Sequence, residues 1–365
     1  MPQPARPALK PGLRLLRRDA TTLQLGLTPG AAVVLEGVDD LDRHVLDLLD
    51  GTRDAAAVVR DAAGLGLDPV RTIELLDLLR RAGALDDGPP PDRTAPSRLG
   101  PDALALSLRH PRPGVAARAL RRRAQTVVTV HGGGRVGATV AGLLAAAGIG
   151  RVNVIDTGPI RPADLAPGGI RRVRTGSRGE AATRAAAASA SASAPASAPA
   201  AGPSPEPPSG APAATPLARR LEVVAPIGLA AAPEVLAAVR RRTHLFVAVR
   251  DVTAVVGPLV VPGRTPCLRC LELGRGERDP AWPRLAAQLV GEPAAVDPAD
   301  IVLATMAAAL AAAQLLTLVD GVDRPATMGG VLEIGPDGAQ VRRRSISSHP
   351  ECGCSPTVGL DTMEA

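Results

Sequence analysis

Four cysteines are the whole cysteine complement of this 365-residue chain, and they fall in two tight pairs. Cys267 and Cys270 sit in TPCLRCLEL, and Cys352 and Cys354 sit in HPECGC near the C-terminal end. Each pair presents two thiolates, so folding that joins the pairs closes a tetrahedral four-thiolate zinc site. The two-residue spacing is standard for zinc and the one-residue spacing is less so. A redox CxxC or incidental thiols are the alternatives. A secreted disulfide scaffold does not suit so few cysteines in so long a chain. His349 is a spare ligand in type, but His349-Pro350 reads better as shaping the approach to the site.

A second chemical signal lies in residues 126–156, TVVTVHGGGRVGATVAGLLAAAGIGRVNVID. A short β-branched run enters a glycine cluster, an alanine- and leucine-rich helix follows, and a second apolar run ends on Asp156. Gly132, Gly134 and Gly137 meet the Gly-x-Gly-x-x-Gly spacing of a nucleotide-binding β-α-β unit. One glycine makes the tight turn, one admits a phosphate to the backbone, and one lets helix and strand pack closely. The helix start offers free N–H groups to an anion, and Asp156 stands where a carboxylate accepts hydrogen bonds from a ribose. Taken alone, the motif also allows an NAD-dependent oxidoreductase.

These residues need elements to hold them. Residues 13–87 read as a small α+β unit of three short strands (13–17, 23–27 and 31–35) and three helices. Leu41, Val45, Leu48 and Leu49 line the first helix, behind Asp39 and Asp40. Thr52 is placed to cap the second, and Asp68-Pro69 opens the third, with Ile73, Leu76 and Leu79 inward and Gly83 past its end. The pattern resembles a winged-helix domain. DNA binding fits poorly, because residues 11–87 hold nine arginines, no lysine and fourteen acidic residues, opposite to a basic footprint. A better match is the PqqD-like winged helix of peptide-modifying enzymes, where a leader peptide adds as an extra strand and needs no basic surface. A purely structural cap is the other reading.

Residues 1–12 read as a disordered tail and 88–117 as a proline-rich linker, with a strand at 103–108. The arginine run 118–123 reads as a solvated helix face. Residues 177–217 collapse into alanine, serine and proline and read as a disordered insertion. Strands at 219–224, 244–250 and 258–261, with a helix near 233–241, continue an α/β domain over 118–355 with helices on both faces of a mostly parallel sheet. Residues 356–365 are a tail. The apolar run 301–319, broken by Thr305, Gln314 and Thr317, reads as a buried helix rather than a membrane span. The N-terminus has no secretory h-region, and the expectation is a cytoplasmic protein. Lys10 is the only lysine, and Phe246 and Trp282 are the only aromatics. The net charge of +6 is nearly all arginine in a compositionally biased chain, which argues little for nucleic acid.

Over residues 120–355 the chain resembles the ThiF/MoeB/HesA superfamily, the fold of the ubiquitin-activating enzymes. The carrying residues are GGGRVG at 132–137, AGIG at 147–150, the VID ending on Asp156, PCLRC at 266–270, the helix at 304–321 and the late CGC. The resemblance implies a Rossmann-like sheet, a homodimer, and ATP with magnesium used to adenylate a C-terminal carboxylate. It places the metal carboxylate on Asp251. Three departures count against that chemistry. Asp156-Thr157-Gly158 replaces the family's Asp-x-Asp, Asp164-Leu165-Ala166-Pro167 replaces its Asn-Leu-x-Arg, and no lysine follows Lys10. Arg171, Arg172 and Arg174 could supply charge, but an arginine fork is not a lysine point charge. One branch fits both the departures and the first unit: a zinc-stabilised ThiF-like protein without ATP chemistry that binds a leader peptide and docks a YcaO-type azole cyclodehydratase. The stretch 260–283, ending in DPAWP, resembles that branch in particular. An active adenylyltransferase with arginine in place of lysine is the alternative.

Overall fold

The computed structural model describes residues 6–28, 32–86, 97–110, 112–173, 175–191, 219–227, 231–289, 299–336, 338 and 340–354. Its contacts divide the chain into two units, Met1–Arg121 and Arg122–Ala365.

In the first unit β1 (Ala8–Leu9) pairs antiparallel with β5 (Leu85–Asp86). The antiparallel strands β2 (Leu15–Arg17), β3 (Thr22–Leu25) and β4 (Val33–Glu36) form a separate sheet in that order. Three helices follow β4, and each is started by an aspartate. Asp39 and Asp42 form a reciprocal capping box at α1 (Asp40–Leu48). Asp54 accepts from the Ala57 N–H at α2 (Ala55–Gly64). Asp68 caps α3 (Pro69–Arg81), whose Pro69 sits in the first turn where its missing N–H costs nothing. The cap of α2 is therefore Asp54 and not Thr52, because Thr52 instead hydrogen-bonds Asp50. Leu25, Val45, Val58 and Leu79 fill the core.

Two expectations are corrected in this unit. Residues 8–10 are not a tail, since β1 is paired and Lys10 is 1 % exposed. Residues 103–108 are not a strand, because they lie in α4 (Gly100–Arg109). One contact explains both. The Lys10 ammonium donates to the carbonyls of Ser107 at 2.6 Å and His110 at 2.9 Å, so a cation satisfies the C-terminal carbonyls of α4. Burial lowers the Lys10 pKa, and the Asp86 carboxylate opposes that shift. Helix α5 (Val115–Ala124) carries the chain across the division.

The second unit is built on a seven-stranded sheet. Strands β6 (Thr126–His131), β7 (Arg151–Ile155), β8 (Arg219–Val224) and β9 (His244–Arg250) run parallel in the order β9-β8-β6-β7. Strands β10 (Thr253–Val260), β11 (Gly330–Ile334) and β12 (Val341–Ser345) extend it antiparallel beyond β9. Between them lie α6 (Arg135–Ala146), α7 (Arg178–Ser191), α8 (Pro233–Val239), α9 (Leu268–Arg278), α10 (Trp282–Leu289) and α11 (Ile301–Asp320). Both faces of the sheet are covered. Leu245, Val247 and Val249 of β9 join one core cluster, while the alternating Phe246 and Ala248 join another with Val239 of α8. The sheet is mixed because the two-residue turn after β9 sends β10 back alongside it.

Helix α11 is long and apolar enough to cross a bilayer, but Leu303, Ala304, Ala307, Ala311 and Leu315 are buried in the main core. Its small residues allow close packing on the sheet. Asp300 caps its start by accepting from Val302 and Leu303, and Gly321 ends it with φ 64°. The arginine run before β6 is not a solvated face throughout. Arg123 is 4 % exposed and makes a two-pronged pair with Asp320 at the end of α11, at 2.8 and 2.7 Å. Replacing Asp320 with alanine strands that guanidinium in the interior and is expected to cost about 3–5 kcal/mol. Joint replacement by Arg123→Met and Asp320→Leu should recover most of the loss, as read by denaturant unfolding of the three variants.

The expected insertion 177–217 is also corrected in its first part. Residues 178–191 form α7, with Ala182 and Ala186 buried at 0 % and 1 %, and Thr183 Oγ1 accepts the Val154 N–H of edge strand β7. An alanine-rich segment is a helix former once a sheet edge gives it a surface to cover. Residues 192–218, Arg174 and the tail after 354 lie outside the described residues.

Candidate functional site

The C-terminal ends of β6, β7, β8 and β9 form one edge of the sheet, the edge at which open α/β sheets bind ligands. The loop after β6 carries Gly132, Gly133 and Gly134, β7 runs out at Asp156, and Asp251 follows β9. The topology therefore brings Gly132, Gly134, Gly137, Asp156 and Asp251 to one edge, with Asp251 two strands from the glycine loop. Asp251 has φ 53° and opens the two-residue turn whose flanking residues, Arg250 and Thr253, are paired. A positive φ at that place is a requirement of a twist-matched hairpin.

Packing accounts for the glycines. A Cβ on Gly137 would lie 2.0 Å from the Gly132 carbonyl oxygen, and one on Gly150 would lie 1.9 Å from that of Ala124. Gly134 faces Ile227, which a Cβ would meet at 2.8 Å. Arg135, which follows it, is tied to the backbone carbonyls of Ala163 and Ala299.

Asp156 is fully engaged by its own chain. Its carboxylate accepts from the backbone N–H groups of Gly133 at 2.8 Å and Gly158 at 2.9 Å. The guanidinium of Arg178 donates to both oxygens, through Nε at 3.0 Å and Nη2 at 3.1 Å. Arg178 also donates to the Pro159 carbonyl at 3.0 Å and lies 3.7 Å from Asp164. The result is a cation at the first residue of α7, packed on Gly133 and covering the oxygens that a ribose would use. Reading the sequence missed Arg178 because it stands at the start of a segment that looks disordered. The signal available was Ser177-Arg178-Gly179-Glu180, a helix start with an acidic first turn. Arg171 and Arg172 are exposed and are not drawn to Asp156.

The four thiols meet at the opposite edge. Cys267 follows β10, whose last residue Val260 pairs with His244 at the start of β9. Cys267 and Cys352 are 3.3 Å apart, Cys270 and Cys354 are 3.2 Å apart, and Cys267 and Cys270 are 4.0 Å apart. All four sulfurs lie within 4.8 Å of one another. A tetrahedral ion with sulfurs at about 2.3 Å needs sulfur–sulfur edges of about 3.8 Å, so the donor set fits such an ion. Burial alone would raise the Cys270 thiol. The N–H groups of His349 and Cys267 and the adjacent thiols outweigh it and bring it to about 7. Burial, then the neighbouring thiols, push the Cys352 thiol up. His349 is no ligand here. Its N–H points at Cys270 Sγ at 3.4 Å, its Nδ1 accepts the Glu351 N–H, and its Nε2 meets Glu277 at 2.9 Å.

The second unit thus carries a nucleotide-type sheet edge at one end and a four-thiol cluster at the other. No protein-family model matches the chain, and no curated protein matches its sequence. Solved structures do match. Escherichia coli MccB with AMPCPP and MccA aligns with TM-score 0.67 at 15 % identity over 95 % of this chain and 98 % of MccB. The microcin C7 biosynthetic enzyme MccB in complex with N-formylated MccA gives 0.63 at 16 % over 96 % and 99 %. A heterocyclase in complex with substrate and cofactor gives 0.57 at 18 %, over 96 % of this chain and 40 % of the heterocyclase. At these identities the likeness is one of fold, and the fold is the one implied by the sequence resemblance.

Proposed function

We propose that this chain is a peptide-recognition scaffold for the modification of ribosomally made peptides. Its first unit, read as a PqqD-like winged helix, holds the leader of a precursor peptide as an added strand. Its second unit docks a YcaO-type cyclodehydratase and performs no ATP chemistry of its own. The observation that carries this reading is the capture of Asp156 by Arg178, Gly133 and Gly158, because a ribose would have to displace a two-pronged ion pair to reach that carboxylate. The peptide role is supported by the outer strands of the β2-β3-β4 sheet, whose outer edges are unpaired among the described residues, and by exposed apolar side chains: Val34 is 39 % exposed, and Val70 and Ile73 of α3 are 60 % and 50 % exposed. Arg71 of α3 reaches the Gly37 carbonyl just past β4, which keeps that helix beside the β4 edge. The fold likeness to a microcin biosynthetic enzyme bound to MccA and to a substrate-bound heterocyclase fits the same setting. Zinc in the four-cysteine cluster would hold α9 to the C-terminal segment and, with every position a thiolate, leave none open for catalysis.

A labelled leader peptide should bind the full chain by fluorescence anisotropy, and Val34→Asp should weaken it by roughly tenfold or more, the effect of losing about 1.4 kcal/mol. Pyrophosphate release from ATP with the precursor peptide should not occur, and observing it would overturn the scaffold reading. The second reading is a working adenylyltransferase. It is favoured by the position of Arg178, a cation at a helix start beside the glycine loop, and by the likeness to MccB, which is known with ATP. Tight magnesium-ATP binding that is lost in Asp156→Ala or Asp251→Ala is its expected signature. Homodimerisation is part of both readings.

A further inference from the structure

We propose that Arg250, Trp282 and Arg275, stacked at the ligand-binding edge of the second sheet, form an oxyanion site that takes a carboxylate or a phosphate group. The segment Asp279-Pro280-Ala281-Trp282-Pro283 is part of neither the cysteine cluster nor the glycine loop. Asp279 shapes it, accepting the Ala281 N–H at 3.0 Å and the Trp282 N–H through its carbonyl at 2.9 Å. This turn delivers the indole of Trp282 to two guanidinium groups, with Arg275 at 5.0 Å and Arg250 at 5.7 Å from the ring centroid. Both distances are within cation–π range. Arg250 is the last residue of β9, directly before Asp251, so the stack belongs to the edge where α/β sheets take ligands.

Charge around the stack is unbalanced. Glu272 accepts the indole N–H at 2.5 Å and Arg275 Nη1 at 2.7 Å, so one carboxylate serves both groups. The Arg250 guanidinium makes no hydrogen bond or ion pair among the described residues. Asp251 is exposed and within 4 Å of no cation among them. Arg278 adds a further positive charge facing Arg275. The Arg275 side chain is only 14 % exposed; burial lowers its pKa, and the charge of Arg250 lowers it further. Two guanidiniums stacked on one indole, one of them with no carboxylate partner among the described residues, offer a planar fork of donors suited to a two-oxygen anion. Stacking on Trp282 fixes the plane of each fork before the anion arrives, which reduces the entropy lost on binding.

The chain contains one tryptophan and no tyrosine, so its intrinsic emission reports on this site alone. The full chain is titrated at constant ionic strength with acetate, inorganic phosphate, and a short peptide in its free-acid and C-terminal amide forms. A saturable change in Trp282 emission is expected. Preference for peptide acid over amide identifies a peptide carboxylate as the ligand, and preference for phosphate identifies a nucleotide or other phosphoryl group. Arg250→Gln should weaken the response by roughly tenfold or more and Arg250→Lys by less, since lysine keeps the charge but not the fork. No saturation with any probe, or the same midpoint in Arg250→Gln, would overturn the site. Binding of a labelled leader peptide to the first unit is read separately, so failure here and failure of the scaffold reading are distinct outcomes.

Discussion

Chelation of the metal from freshly purified chain is expected to unfold the second unit while leaving the unfolding transition of the first in place. The thiols come from two segments 85 residues apart in sequence, one at the start of α9 and one in the C-terminal segment after β12. Outside the thiol cluster, residues 346–354 are tied back by the Ile346 N–H donating to the Gly329 carbonyl and by His349 bonded to Glu277. A structural zinc contributes on the order of 10 kcal/mol of folding free energy, as large as the whole stability of an ordinary domain. Elemental analysis should give one zinc per chain. Cys270→Ser should abolish folded second unit, because Cys270 is 2 % exposed and lies within hydrogen-bond reach of His349 and Cys354. No metal in fresh protein, or an unfolding curve unchanged by chelator, would remove the metal site and leave the thiols as a redox or packing feature.

The second large effect concerns the glycine loop. Gly132→Ala and Gly137→Ala are each expected to destabilise the second unit by about 4 kcal/mol or more, in the range reserved for clashes that cannot relax. Gly132 has φ 109°, and a Cβ there would lie 1.9 Å from the Ala225 carbonyl oxygen; one on Gly137 would press on the Gly132 carbonyl. In both cases the obstacle is backbone, which cannot swing aside as a side chain can. Gly134→Ala serves as the contrast. Its obstacle is the Ile227 side chain, and its effect should be smaller. Urea unfolding of the three variants without any nucleotide checks the point. Equal and small effects would show that the glycines serve a ligand; a large loss at 132 and 137 makes them part of the fold. This bears on function, because a loop kept for packing can retain its glycines after the nucleotide is no longer used.

Much of this was legible in the residue order. Strand, glycine turn, helix and second strand between 126 and 155 follow from β-branched runs, an apolar helix and two glycine clusters, all local signals. The helix starts at Asp39 and Asp68 are equally local. Thr52 misled because Asp54, two residues on, satisfies the same N–H groups with a charge. Residues 103–108 misled because their alternation suits a strand, and only the Lys10 ammonium on the last carbonyls reveals the helix. The arginine run at 118–123 looked solvated because nothing nearby in sequence pairs with Arg123; its carboxylate is 197 residues away.

For the candidate sites the division is the same. By itself the sequence determined that two cysteine pairs exist at spacings able to bind a metal, and that a β-α-β unit presents glycines and Asp156 at a strand end. Local spacing is enough for both, because turns, caps and periodicity act over a few residues. Only the tertiary structure decided that the pairs meet, that they meet at the edge opposite the glycine loop, that Arg178 occupies Asp156, and that Trp282 stacks with both Arg250 and Arg275. Each of these depends on which segments pack together across the sheet, and that choice is made by the burial of whole faces rather than by any spacing along the chain.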